Sequence, residues 1–313
     1  MVHFFVKKLF LIVFLVIFGC TKEAPEKIPL PPDGVQVPIG FGAGIINTKA
    51  PIESVEGKPT TNINGIQILR QDVHKNSSPN WSTVSSVTAT ASFFTTGNFV
   101  VNPLQYHNSN QNQYSHFTAY YPGQNEAAVP VSTTLSNGVA TFTITGQEDI
   151  ISAPSATAQG STSSIPVAFT FTHKLSQLQI YIKAANDGAI AAWGNITAVK
   201  ATSPTVLNLN VSTQALAQHS TDPEIKDLST GELPQALTTS FASFGTILVY
   251  PGTLTVKVTS ANVPEQTVTI SSLSSTTAGN AHRIELTFTA TAINFSATLT
   301  DWVTGASGSG TVE

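Results

Sequence analysis

The chain has 313 residues, with 14 Lys and Arg against 18 Asp and Glu, a formal net charge of −4 at pH 7. That balance excludes nucleic acid and an anionic membrane face as electrostatic partners. Charged residues make up only 10% of the chain, against about 25% in ordinary soluble domains, which argues against helices laced with surface ion pairs.

The first elements are not part of a folded body. Residues 1–8 carry Lys7 and Lys8, Leu9 to Phe18 is uncharged and apolar, and Gly19 precedes Cys20, the single cysteine. The run is too short for a bilayer of ~30 Å and reads as a signal peptide over residues 1–19. A thiol directly behind the cut resembles a bacterial lipoprotein signal. Ile17 and Gly19 fit that pattern and Phe18 departs from it. The resemblance implies acylation of Cys20 and attachment to the outer membrane, each buried methylene contributing about 0.8 kcal/mol. Lys22-Glu23 is similar to the surface-export signal of some Gram-negative lipoproteins, with Ala24 where a second acid is common. Without Lys7 and Lys8 the chain keeps 12 basic against 18 acidic residues, a net charge of −6. With one cysteine no intrachain disulfide forms, so the core must hold by itself.

Residues 20–34, with Pro25, Pro29, Pro31 and Pro32, form a stiff extended tether. Alternation then begins: Val35, Val37, Ile39, Phe41, Ala43 and Ile45 share one face. Pro38 cannot donate to a ladder, so this strand belongs at a sheet edge. Ile66 to Leu69 and Ser82 to Phe94 read as strands. Phe117 to Tyr121 is another, ending at the turn signal Pro122-Gly123. Asn137-Gly138, between Leu135 and the alternating Val139 to Ile144, is a hairpin signal.

Residues 152–165 are small, polar and aperiodic, and suggest a boundary. Beyond it Val167, Phe169 and Phe171 alternate. Leu178, Ile180 and Ile182 continue in the opposite phase, which predicts a bend or bulge over 173–177. Further strands are expected at 246–250, 254–258, 268–270, 284–288 and 293–299, with a helical turn hinted over 212–228. Many short strands separated by turns predict an all-β fold of two sandwich domains, 35–163 and 164–313.

Enzymatic chemistry is not expected. His74, His107, His116, His173, His219 and His282 lack zinc-ligand spacing, and His173 reads as a hydrogen-bonded structural residue. Glu148, Asp149, Glu285 and Asp301 offer acids, but adjacent strand acids point to opposite faces. No metal site or cofactor follows from these residues. Trp81, Trp193 and Trp302 are sandwich residues or, alternatively, sugar-stacking platforms.

Three stretches resemble the fimbrillin family: Phe117-Thr118-Ala119-Tyr120-Tyr121-Pro122; Phe169 to Ile180, containing Phe171-Thr172-His173; and Arg283-Ile284-Glu285-Leu286 through Asp301-Trp302 to the Gly-rich end. The resemblance implies two tandem transthyretin-like Greek-key β-sandwich domains behind a lipoprotein signal peptide. It implies a fimbrial structural or anchor subunit that joins other fimbrial subunits by strand exchange, supports adhesion and has a host protein or glycan as a further partner. In that scheme a protease removes the first strand after an Arg, and a neighbour's strand fills the groove. Here the strand to be exchanged carries Val35, Val37, Ile39, Phe41 and Ile45. The basic residue behind it is Lys49, where the family pattern has Arg; Arg70 is the other candidate. Six apolar side chains at ~1.5–3 kcal/mol each give roughly 9–18 kcal/mol of gross burial, before ordering costs. A permanent edge strand is the plainer reading of 35–45. A glycan-binding outer-membrane lipoprotein of a polysaccharide-utilisation system is the alternative function.

Overall fold

A computed structural model of the chain describes residues 36–46, 52–124, 133–160, 166–221, 224–269 and 275–300. The first half supplies β1 (Phe41–Ile45), β2 (Ser54–Val55), β3 (Lys58–Pro59), β4 (Ile63–His74), β5 (Ala89–Phe93), β6 (Phe99–Asn102), β7 (Gln113–Tyr121), β8 (Thr134–Ser136), β9 (Val139–Thr143), β10 (Ile151–Ala158) and β11 (Val167–His173). The second supplies β12 (Ser176–Ala184), α1 (Asp187–Trp193), β13 (Ile196–Pro204), β14 (Val206–Asn210), β15 (Leu216–Gln218), β16 (Ile225–Ser229), β17 (Ala242–Val249), β18 (Thr255–Ser260), β19 (Gln266–Thr269), β20 (Ala281–Phe288) and β21 (Ile293–Thr300). The fold is all-β, as the alternation predicts.

A seven-stranded sheet of order β1-β11-β10-β7-β4-β5-β6 curls around its own core. β1 and β6 stand at opposite ends of that order, yet they meet. Pro38 bridges Tyr106, and Phe99 on β6 lies 5.8 Å from Phe169 on β11. Phe93, Phe99, Phe117, Tyr121, Phe169 and Phe171 fill the interior. In β7 Phe117, Ala119 and Tyr121 face this core, while Tyr120 faces outward into a second core. Burial on both faces fits the aromatic-rich end of β7, Phe117-Thr118-Ala119-Tyr120-Tyr121, all of it buried.

The second half forms two four-stranded sheets, β17-β12-β20-β21 and β16-β13-β18-β19. Leu178, Ile180, Val256, Val258, Ile284 and Leu286 pack between them. A further sheet, β15-β14-β9-β8, draws strands from both halves. It covers the outer face of β7: Tyr120 meets Phe142 edge-on at 5.9 Å, and the Thr118 hydroxyl donates to the Val211 carbonyl at 3.4 Å.

Several local expectations change. The segment 152–165 carries β10, and pairing extends the first sheet to His173. Its residues are small because β10 lies between the aromatic-rich β7 and β11, and Pro154 sits where the register shifts between Ala153 and Ala156, a bulge that tolerates proline. The phase change over 173–177 is a strand leaving one sheet for another. The strand expected over 82–94 is confined to β5. The expected helical turn over 212–228 carries β15 and β16 instead, and the helix is α1, whose Asn186 side chain caps the Ala189 N–H at 3.0 Å.

Candidate functional site: the seat of the first strand

β1 runs parallel to β11, with Phe41 opposite Val167 and Ile45 opposite Phe171. The Val167 N–H donates to the Gly40 carbonyl at 2.8 Å and the Ile46 N–H to the Phe171 carbonyl at 3.1 Å. A parallel ladder uses alternate residues, so the even-numbered residues of this stretch bond to β11. The odd-numbered ones turn their peptide groups the other way. Ile39 donates to the Gln105 carbonyl at 2.8 Å and Ile45 to the Gly57 carbonyl at 3.0 Å. Between those two bonds β1 faces β6 across side chains and not across a ladder. Pro38 fits this geometry. His107 donates to the Val37 carbonyl at 2.9 Å, so the ladder bonds use Val37 and Ile39 and ask nothing of the proline nitrogen.

The side chains beneath β1 are mostly aromatic. Ile39 and Ile45 are buried, and Phe41 and Ala43 are half-buried against the same core. The Phe41 ring stacks on Phe169 at 6.2 Å and meets Phe117 edge-on at 5.1 Å. On the outer side, among the described residues, a Cβ added at Gly42 would meet nothing within 4 Å, and at Gly40 and Gly44 only ordinary contacts at 3.7 and 3.9 Å.

Polar groups bracket the seat at both ends. At the Ile39 end the Arg70 guanidinium bonds Asp72 at 2.9 and 3.0 Å, the Gln105 side chain at 3.2 Å and Ser115 at 2.9 Å, and lies 5.5 Å from the Phe117 ring centre. Burial would raise the Asp72 carboxyl. Hydrogen bonds from Arg70, Ser115 and Asn108, with the guanidinium charge, outweigh burial and hold it below the usual carboxylate range. At the Ile45 end His173 Nδ1 lies 2.8 Å from Asp149 Oδ1, both side chains almost wholly buried. The other Asp149 oxygen accepts the Ile52 N–H at 3.2 Å. Burial, and then the Asp149 charge, push the nearby Tyr121 hydroxyl up to about 12. A hairpin of β2 and β3, turned by Glu56 and Gly57 with positive φ of 52° and 77°, presents the Gly57 carbonyl to β1.

Phe41, Ile39 and Ile45 thus come together with Val37 at one seat. Cys20, Val35 and Lys49 lie outside the described residues. Arg70, the other candidate cleavage residue, is mid-strand in β4, opposite Phe117 on β7, with its N–H donating to the Thr88 hydroxyl at 3.1 Å. His173 has its hydrogen bond. Trp81 and Trp193 are buried, the latter donating to the Thr289 carbonyl at 2.6 Å; Trp302 and Asp301 lie outside the described residues. Glu148 is spent on a turn, accepting the Thr145 N–H and hydroxyl, both at 2.6 Å, and Glu285 pairs with Arg283 at 2.8 Å. Among the described residues no cluster of three metal-ligating side chains occurs. The bracketing roles of Asp149, Gln105 and Ile52 have no local motif; they arise only when distant segments meet.

A family profile described as fimbrillin-like matches residues 52–302. Among solved structures, a candidate cell adhesion protein from Bacteroides uniformis aligns with a TM-score of 0.57 at 18% identity, over 87% of this chain and 100% of that one. One from Bacteroides ovatus gives 0.56 at 18% identity, over 87% and 99%. A fimbrial protein from Bacteroides vulgatus gives 0.52 at 15% identity, over 84% and 99%. At these identities the likeness shows the fold alone. A comparison with curated proteins finds no match.

Proposed function

The chain belongs to the fimbrillin-like family, and on that premise we propose that it is a lipid-anchored fimbrial subunit that joins its neighbours by exchanging its first strand. As a member of that family it is a structural, non-enzymatic protein of the cell surface, a fimbrial adhesion subunit. Its partners in this reading are other fimbrial subunits, the outer membrane through Cys20, and a host protein or glycan.

One observation carries the exchange. β1 ends its sheet, has a ladder on one edge only, and precedes Lys49 in the connection to Ile52. A cut at Lys49 separates β1 from the body, while Asp149 still holds Ile52 and the β2–β3 hairpin stays beside the seat. The emptied seat would expose the aromatic floor and the β11 peptide groups, an edge that binds an extended segment by backbone pairing. A head-to-tail contact of this kind does not close on itself and so builds filaments. A cut at Arg70 would break β4, whose backbone there is paired to β7 with Arg70 opposite Phe117. The same cut separates the body from the lipid at Cys20, so an uncut copy would remain as an anchor and a cut copy would enter the shaft. The glycan-binding alternative is weakened because Trp81 and Trp193 are core residues.

The test is N-terminal mapping of the surface-exposed form together with immunoblots of boiled and unboiled material. A new N-terminus at Ala50 in polymeric material and a heat-labile ladder support the reading, and Lys49→Gln should remove both. Cys20→Ala should abolish lipid labelling. A monomer band in both lanes, with Cys20 as the only mature N-terminus, would overturn exchange in favour of a permanent edge strand.

A further inference from the structure

Resting on the exchange reading above, we infer that the seat selects its incoming strand through a single aromatic pocket, the one now filled by Phe41, and is indifferent to that strand's outer face. The occupant is an extended segment of another subunit, apolar on alternate residues, with an aromatic ring at the Phe41 position.

β1 shows what the seat accepts. Of its inward side chains, Ala43 is too small to anchor anything. Ile39 and Ile45 lie at the two positions whose N–H groups are already fixed, by Gln105 and by Gly57. Phe41 lies between them, where the edge toward β6 has no ladder, so side-chain contact must supply what hydrogen bonds do not. It meets rings from two different strands, Phe169 in a parallel stack and Phe117 edge-on. Phe117 is itself held in place by the Arg70 guanidinium on its ring. A large aromatic side chain seated against two rings near the centre of an interface is the kind of contact that concentrates binding energy, even where, as for Phe41, part of it stays exposed.

The outer face is the opposite case. Gly40, Gly42 and Gly44 are spared by neither backbone nor packing: none has a left-handed φ, and each has room for a Cβ. An incoming strand therefore need not match these glycines. Side chains there would lose nothing and would make the strand stiffer, since glycine weakens a strand interior by about 0.5–1 kcal/mol.

The test uses the full chain with a site-specific protease sequence replacing residues 47–51. After cleavage, labelled peptides of residues 36–46 are added and their uptake is measured by fluorescence anisotropy, with release of the original N-terminal piece followed by mass spectrometry. The unchanged peptide should enter. A Phe41→Ala peptide should bind about five- to thirtyfold more weakly, the loss expected of a half-buried ring. A Gly42→Thr peptide should bind within about threefold of the unchanged one. If the unchanged peptide enters and Phe41→Ala enters equally well, the pocket is refuted and exchange stands. A large loss with Gly42→Thr alone refutes the open outer face. If the original piece stays bound after cleavage and no peptide enters, exchange itself fails and the selectivity falls with it.

Discussion

β1 and β12 are both short apolar strands with a parallel neighbour, and they are held in different ways. β12 lies between β17, paired over Ser176 to Ile182, and β20, paired over Gln177 to Ala184, and its inward residues sit in the larger of the two cores. β1 has one ladder, on β11, and on its other side a single bond from Ile45 to Gly57, with the Ile39–Gln105 and His107–Val37 bonds just ahead of it. Hydrophobicity does not separate the two strands; position in the sheet does. Losing β1 would break a single ladder, whereas losing β12 would break two.

The largest expected effect lies in β12. Ile180→Ala removes a fully buried side chain and should lower global stability by about 2–5 kcal/mol, read as a shift in denaturant midpoint. A loss under 1 kcal/mol would mean that the second sandwich is no better packed than the β1 seat. Alkali should bear on the first half. Tyr121 is held neutral up to about 12 against an ordinary value of 10. The folded state therefore keeps a proton that the unfolded chain releases, and stability falls as pH rises from 10 to 12. The loss should be about 3 kcal/mol and should shrink in Tyr121→Phe; parallel titration curves for the two proteins would contradict it. Phe41→Ala, at a half-buried position, should cost about 1–2 kcal/mol. Native-state hydrogen exchange should show that loss at β1 and β11 amides and leave β12 unchanged.

The smallest effect concerns a flaw in the second half. Among the described residues both buried ring nitrogens of His282 find no hydrogen-bond partner, and burial lowers its pKa below 6.5. The stability associated with the neutral ring is present above pH 6.5 and is lost as pH falls through the lowered value. His282→Leu should flatten that slope and stabilise the protein by about 1 kcal/mol at neutral pH. Unaltered acid melting would show that the ring is satisfied in solution.

Much of this architecture was legible in the residues. Of the strand expected over Val35 to Ile45, Phe41–Ile45 forms β1 at the end of its sheet, Pro38 makes only an isolated bridge to Tyr106, and Val35 lies outside the described residues. Asn137-Gly138 marks the turn between β8 and β9, with Asn137 at φ 50° and Gly138 at φ 72°. Other features were hidden for physical reasons. β10 carries Ser152, Ala153, Ala156 and Ala158, because small residues suit a strand wedged between large aromatics, and such a run looks like a linker. α1 has seven residues, too few for a helical period to stand out. Arg70 looks like a protease target along the chain, and only the fold shows its guanidinium closing the end of the first core. The pairing of β9 with β14, Thr143 opposite Val206, has no local signal at all.

That shared sheet bears on how the molecule is made. A polypeptide emerging from a ribosome or an export channel delivers β1 long before Val167 and delivers the β8–β9 hairpin before Val206. Each waits unmated while its partner is still being threaded. That sheet is complete only when strands from both halves of the chain are in place. Until the later segments arrive the nascent protein offers unpaired edges to other chains, and holding factors that shield extended polypeptides would be its natural escorts.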